Sequence, residues 1–465
     1  MRAGWPPGAA RRLLPIGLGT LAVPLDTAVN IAFPEITGHF GLTVPMIQWI
    51  VVCYVLTYGS LMLAVGRLGD ILGHGRVFRL GLAWSAAAFL LCALAPGYGW
   101  LLACRVLQGI GAALLISCGP ALVTLLFPEA MRGRMLGLYT LVFAAGAALG
   151  PLLGGVLVQL WGWEAVFWFR APLALVALLL LPRLPGPPRG AAREPFDLAG
   201  AALLALAIGG LLLALGQARL LVAGEPWALL LGAAALAALA GFLRQAGRSP
   251  RPIIAPGFFR LPGFASVNAA NALVNFAGFA VLLFLPYHLL GSAGLAAGAA
   301  GLVLAAGPLG SMVAAPAGGW LLGRVPPRRL ALAGAALTAA GLLLIGLPGR
   351  EAGIGLLVAA LLAQGAGLGL FQVAQAETVT AAMPRADRGV AGSLTMVMRT
   401  LGVVSAASLL TLLFGAAEAA ALRRGATAEE AFLEAFRLAF LLAAATAAAA
   451  AALLARGPRR AARGG

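Results

Sequence analysis

Long apolar runs follow one another from residue 13 to residue 455, each bounded by arginine, proline or glycine. A helix that crosses the hydrocarbon core of a bilayer needs about 20 predominantly apolar residues. Cutting the chain at its breaks gives fourteen such segments, at 13–34, 45–66, 76–96, 100–122, 134–157, 164–182, 198–217, 226–244, 263–290, 296–322, 329–347, 353–379, 389–415 and 432–455. The pattern predicts an all-α polytopic membrane protein with fourteen transmembrane helices. Only 10% of the residues are charged and 62% are hydrophobic, against about 25% charged in a soluble domain, which excludes a water-soluble enzyme.

The charges test the cuts. All 32 basic residues are arginine, and with 15 acids they give +17. If the amino terminus is cytoplasmic, 24 arginines fall on the cytoplasmic side, beginning with Arg2, Arg11 and Arg12. The outer loops hold five, Arg219, Arg350, Arg423, Arg424 and Arg437, while Arg105, Arg170 and Arg399 fall inside segments. This is the positive-inside distribution of a multi-pass protein of the cell membrane with both termini cytoplasmic. Clustering between apolar runs argues against nucleic acid as the partner of these charges. The first segment contains Asp26 and is too long and interrupted for a cleaved signal, so it is expected to be retained.

Several chemistries are missing from the chain. The longest stretches outside the runs, roughly 182–197 and 416–431, leave no room for a soluble catalytic domain. A Walker loop needs a lysine and there is none. Cys53, Cys92, Cys104 and Cys118 lie inside apolar runs without a paired C-x-x-C, so neither a disulfide framework nor a zinc site is indicated. The histidines, His39, His74 and His288, are far apart. No metal or cofactor is expected, and no clustered nucleophile, acid and base suggests a membrane-embedded enzyme.

The halves repeat. Gln108-Gly109, Pro128, Arg132-Gly133 and Gly146 recur as Gln364-Gly365, Pro384, Arg388-Gly389 and Gly402, each 256 residues later. That offset corresponds to eight segments, so a repeat beginning at the first segment resumes at the ninth. The expected organisation is a six-helix bundle over 1–182, a linker with two additional helices over 183–262, and a second six-helix bundle over 263–465, the bundles related as a parallel pseudo-repeat.

Individual motifs then resemble the major facilitator superfamily, in particular its fourteen-helix drug:proton antiporter branch. Gly66-Arg67-Leu68-Gly69-Asp70-Ile71-Leu72-Gly73-His74-Gly75-Arg76 is similar to the loop G-x-L-a-D-r-x-G-r-r/k, departing at Ile71, His74 and Gly75. The resemblance implies a cytoplasmic gate built on Gly66, Arg67, Gly69, Asp70, Gly73 and Arg76. Its second-half counterpart, Gly319 to Arg324, has no acid. Leu25-Asp26-Thr27 with Asn30 to Pro34, and Arg105 with Gln108-Gly109, resemble signatures of the first and fourth helices. Gly146, Gly150, Pro151, Gly154 and Gly155 resemble the antiporter motif of the fifth helix, which the family implies bends and seals the pathway. Trp163, Phe167 and Pro172 fit the sixth-helix pattern, from which Glu164 and Arg170 depart; Leu285-Pro286 with His288 and Arg399 with Gly402 fit the ninth and thirteenth.

The residues allow a mechanism to be sketched. A charge inside hydrocarbon costs about 2.5–3.5 kcal/mol on insertion scales, so one that stays there usually faces the bundle interior. Asp26 sits about 12 Å and Arg105 about 7.5 Å from the outer ends of their helices at 1.5 Å per residue, within an arginine's reach of each other. A proton or a cationic substrate competing with Arg105 for Asp26 would couple transport; a permanent salt bridge between the two helices is the alternative reading. Arg399, near mid-bilayer, and Glu377 are further coupling candidates, with Glu377 equally able to sit at the cytoplasmic surface and Arg170 able to snorkel. The helix-five glycines, four apart, also suit ordinary close packing of membrane helices. The expectation is a monomeric, cofactor-free, proton-driven transporter exporting lipophilic cationic or neutral compounds, drugs or antibiotics among them, by alternating access. Its partners are a small lipophilic substrate, protons and membrane lipids. Export of an endogenous metabolite or lipid is the alternative, and a passive channel or an enzyme the less favoured one.

Overall fold

A computed structural model describes residues 9–127, 129–181, 197–216, 225–249, 261, 263–347, 353–382 and 388–456. The described elements are helical. They run α1 (Ala9–Leu21), α2 (Ala28–Ile31), α3 (Phe33–His39), α4 (Gln48–Leu72), α5 (His74–Ala93), α6 (Tyr98–Leu126), α7 (Glu129–Trp161), α8 (Ala165–Trp168) and α9 (Arg170–Leu180). They continue as α10 (Leu198–Gly216), α11 (Trp227–Arg248), α12 (Phe264–Tyr287), α13 (Ala297–Leu321), α14 (Pro327–Gly346), α15 (Ile354–Ala382), α16 (Arg388–Arg423) and α17 (Ala428–Arg456).

Twelve helices among the described residues are long and apolar enough to cross a membrane, which overturns the fourteen-helix architecture with its two additional linker helices. The shortfall lies in segments 164–182 and 198–217. The first is divided at Phe169 into α8 and α9, which together reach only from Ala165 to Leu180 before Leu181 turns extended. At 1.5 Å per residue that is about 24 Å, short of the roughly 30 Å hydrocarbon core. In the second, α10 is helical from Leu198 to Gly216, and Leu198–Leu211 is the apolar stretch counted within it. At 164–182, counting apolar residues between charged breaks measures a run of composition, whereas spanning requires an unbroken helix of that length.

The chain forms two compact units, residues 1–43, 49–198 and 289–305, and residues 44–48, 199–288 and 306–465. In the first unit the membrane span Leu13–Ile31 is not one helix. Pro24 has no N–H to donate and its ring clashes with the preceding turn, so α1 stops and a 3-10 turn, Pro24–Thr27, carries the chain to α2. The Pro24 carbonyl accepts a 3.0 Å bond from the Thr27 hydroxyl, which also lies 3.2 Å from the Ala147 carbonyl of α7. Such repair of opened backbone by a hydroxyl and a neighbouring helix is what lipid burial demands.

Helix α7 lies against this break because its facing residues are glycines. A Cβ on Gly146 would meet Pro24 at 2.7 Å, one on Gly150 would collide with the Thr27 hydroxyl, and one on Gly154 would fall 2.8 Å from the Cα and carbonyl oxygen of Ala28. Gly155 faces elsewhere in the same unit, onto the Ala297 carbonyl and Gly301 at the start of α13, while Gly301 in turn abuts the carbonyl of Pro151. Ala22, Ala86, Phe89, Ala171 and Ala174 form a buried apolar cluster joining the end of α1 to α5 and α9.

Glycines at the 256-residue offset make corresponding contacts in each unit. Gly109 in α6 lies on Tyr54 and Thr57 of α4, and Gly365 in α15 lies on Gly307 of α13. Gly146 in α7 lies on Leu21 and Pro24, and Gly402 in α16 lies on Ala272 and Phe276 of α12. Pro128 and Pro384 of the repeat fall outside the described residues.

Candidate functional site

The break at Pro24 decides where Asp26 goes. It sits in the 3-10 turn with its carboxylate turned to α6 and α9 and is 13% exposed. The guanidinium of Arg105 meets it in a two-pronged pair, Nη1 to Oδ1 at 2.7 Å and Nη2 to Oδ2 at 2.8 Å. Such forked pairs are the strongest hydrogen bonds a carboxylate makes with protein. Gln108, one turn further along α6, donates Nε2 to Oδ1 at 2.7 Å and accepts from Arg105 Nη1 at 2.7 Å. The remaining Arg105 donor, Nε, reaches the Ile50 carbonyl at 2.9 Å, and the Tyr54 ring lies 4.3 Å from the guanidinium carbon. Every part of Arg105 is thus positioned, and it is 2% exposed.

A second arginine shares the carboxylate. Arg170, at the start of α9 and fully buried, donates Nη1 to Asp26 Oδ1 at 2.8 Å and Nε to the Val166 carbonyl at 3.1 Å. Its guanidinium carbon stands 4.5 Å from the centre of the Phe89 ring, a cation–π contact. Nη2 of Arg170 is buried and has no hydrogen-bond partner among the described residues. One carboxylate therefore serves two buried guanidiniums, and the cluster carries one net positive charge.

Sequence reasoning paired Asp26 with Arg105 and left Arg170 as a side chain able to snorkel; Arg170 instead points inward to the same oxygen. It missed the bridging role of the Gln108 amide and the aromatic floor of Tyr54 and Phe89. The i, i+3 spacing of Arg105 and Gln108 was the available signal for the amide, since it puts both on one face of α6.

The other candidate residues are not drawn into this cluster. Arg399, on α16, is half-buried, and Glu377, near the end of α15, is exposed; neither makes an ion pair among the described residues. In the gate motif, α4 runs on to Leu72 and α5 begins at His74, so the whole loop is the single residue Gly73, held at φ 94°. That left-handed value is a conformation glycine adopts without strain. A Cβ on Gly69 would strike the His74 ring, whereas Gly66 faces open space and Arg76 is exposed. The side chains of Arg67 and Asp70 fall outside the described residues.

A smaller polar cluster lies beyond the spans. The turn at Gly162, φ 81°, brings Glu164 towards Glu35 of α3, and His39 packs on Trp163 at 5.4 Å between ring centres. Burial raises the Glu35 carboxyl above its ordinary pKa and the Glu164 charge adds to that, opposed by a hydrogen bond from the Trp163 backbone N–H and by His39. In the second unit, Asn268, Asn271 and Asn275 form a buried row along α12, with Asn271 donating to the Thr395 carbonyl at 2.9 Å. Sequence reasoning passed over this row, although its three- and four-residue spacing marks one helix face.

The model of the Major Facilitator Superfamily matches residues 16–243 and 267–464. The chain belongs to the Major Facilitator Superfamily. It is 30% identical over 412 residues to the multidrug efflux pump LfrA of Mycolicibacterium smegmatis, covering 86% of this chain and 81% of that one. It is 28% identical to the riboflavin transporter RibZ of Clostridioides difficile, over 84% of each chain. In fold it superposes with TM-score 0.70 on a bacterial homologue of the human lysosomal transporter Spinster, at 18% identity and 97% coverage of both chains. Membership makes this a multi-pass membrane transporter rather than an enzyme, and gives it a small molecule to move. Among the described residues, the Asp26 cluster holds both fully buried arginines.

Proposed function

We propose that the chain is a secondary transporter that exports lipophilic small molecules in exchange for protons, with Asp26 as the proton-carrying group. The observation that carries the reading is a carboxylate at the break of the first membrane span, bound simultaneously by side chains of α6 and α9. All its hydrogen bonds are accepted on carboxylate lone pairs. A proton arriving on Oδ1 takes a lone pair that an arginine or the Gln108 amide now uses, so the tie between the broken first span and its neighbours loosens. Release of the proton restores it. The 3-10 turn, lacking the regular helical hydrogen-bond ladder, is the place where α2 can shift against α1.

In this reading Arg105 is the partner that exchanges with the proton and the glycine face of α7 is the surface on which the broken span moves. The Gly66 to Arg76 motif is the cytoplasmic gate, both termini are cytoplasmic as the arginine distribution requires, and the proton gradient replaces any cofactor. The name of LfrA supports a drug as cargo, and that of RibZ favours an endogenous metabolite as the second reading.

The test is efflux of fluorescent lipophilic compounds from proteoliposomes under an imposed pH gradient, comparing the parent chain with Asp26→Asn. Gradient-driven efflux that disappears in the variant is the expected result. Efflux that keeps its dependence on the gradient without Asp26 would remove this carboxylate from the coupling step.

A further inference from the structure

The Asp26 cluster is not neutral. A salt bridge between the first span and α6 needs one arginine, and Arg105 supplies both prongs of it together with its own backbone anchor. Arg170 is therefore surplus to the pairing, yet it is fully buried, held at Nε by the Val166 carbonyl and stacked on Phe89. Burying a charge that is not fully compensated is costly, and the cost persists only where the charge does something. Among the described residues, Asp26 is the sole carboxylate bonded to either arginine. Arg170 also keeps one donor, Nη2, buried and unbonded among the described residues, and guanidinium donors are matched by carbonyl, phenolate or carboxylate oxygens.

We infer that Arg170 is a specificity-determining residue that makes the Asp26 cluster a charge filter: it excludes lipophilic cations and favours uncharged or acidic lipophiles that offer an oxygen acceptor. The inference rests on the transport reading above and deepens it by choosing among cargo classes. A cation approaching Asp26 meets a site already positive by one charge, its only carboxylate engaged by four donors. A carbonyl or acidic oxygen meets instead a donor in need of a partner. Removing the Arg170 charge while leaving Arg105 would bring the cluster to neutrality and give Asp26 back one lone-pair direction.

The experiment is equilibrium binding to purified protein in detergent, with no gradient imposed, using three fluorescent lipophiles of matched size that are cationic, uncharged with a carbonyl, and carboxylate-bearing. The parent is compared with Arg170→Gln, which removes the charge, and Arg170→Lys, which keeps it. The expected result is a gain in cation affinity of at least about tenfold in Arg170→Gln, no gain in Arg170→Lys, and weaker binding of the oxygen-bearing probes only in Arg170→Gln. A merely structural Arg170 would shift all three probes together. If Arg170→Gln does not elute as a folded monodisperse species, Arg170→Met gives the same readout with an apolar side chain of similar length. Failure of the charge-removing variant to gain the cation overturns the filter, whatever the parent binds, and so does a parent that takes the cation as readily as the uncharged probe. Because no gradient is used, neither outcome bears on proton coupling, which stands or falls with the efflux assay on Asp26→Asn.

Discussion

Replacing Asp26 by asparagine should cost far more stability when Arg170 is present than when it is absent. Asp26→Asn keeps the shape of the side chain but takes away the negative charge shared by two buried guanidiniums. The two Nη1 atoms lie 2.7 and 2.8 Å from one oxygen and so within about 5.5 Å of each other. At an effective dielectric near 20, two unit charges at that separation repel by about 3 kcal/mol, in line with the roughly 3–5 kcal/mol lost when a buried pair loses one member. Arg170→Met, by contrast, leaves Asp26 and Arg105 as a one-to-one pair, and it is expected to change stability little. In the Arg170→Met background the further change Asp26→Asn uncovers Arg105 alone, without the second cation beside it. The double-mutant cycle should therefore give a coupling of about 2–4 kcal/mol between residues 26 and 170. The assay is unfolding of detergent-solubilised protein, followed by tryptophan emission for all four chains at one scan rate, because membrane-protein unfolding is often irreversible. Equal losses on Asp26→Asn in both backgrounds would refute the shared-carboxylate account.

Other outcomes follow from the same geometry. Arg105→Lys keeps the charge but gives up the two-pronged pair and the bond to the Ile50 carbonyl, so gradient-driven efflux should fall at least about tenfold; unchanged efflux would mean that the fork has no part in coupling. Gly154→Val places methyl groups against the backbone of Ala28, which cannot rotate aside. A loss of about 1–3 kcal/mol is expected from overpacking, read as a lower unfolding midpoint, and an unchanged midpoint would show that α7 is free to back away. Glu35 binds its proton more tightly in the folded chain than in the unfolded one, because its pKa is raised. Stability should accordingly fall as pH rises from the ordinary carboxylate pKa through the raised one. Glu35→Gln should be more stable than the parent at neutral pH and converge with it near pH 4, and parallel pH profiles would refute the assignment.

Much of the fold was legible from the chain because lipid imposes a simple rule: backbone must close its hydrogen bonds within a helix, and the side chains facing out must be apolar. The same rule misled the count at segment 164–182, where apolar composition ran on while the helix was divided at Phe169 and ended at Leu180. The kinship of Asp26 with Arg105 could be read from depth alone, since both lie a few residues from the same end of their helices. Arg170 could not, because depth says how far a side chain is from water along the helix axis and nothing about which way it turns. Its inward turn depends on α9 lying beside α5, so that the Phe89 ring receives the guanidinium face. The close passage of α7 over the Pro24 break was foreshadowed by glycines four apart, but not which of them face it: Gly155, adjacent to Gly154, looks to α13 instead.

The membrane span Leu13–Ile31 leaves the ribosome before the helices that hold its polar groups, and it cannot complete itself. Its hydroxyl repair involves a carbonyl on α7, 120 residues later, while its carboxylate waits 79 residues for Arg105 and 144 for Arg170. At a synthesis rate of about 5–20 residues per second, those delays are of order ten seconds. Throughout that interval a broken helix with an uncompensated acid must be sheltered by the insertion machinery or lie near the headgroups. Biogenesis of this chain thus turns on α6: nascent chains arrested before residue 105 should present Asp26 in an accessible, immature state, and those extended beyond α6 should not.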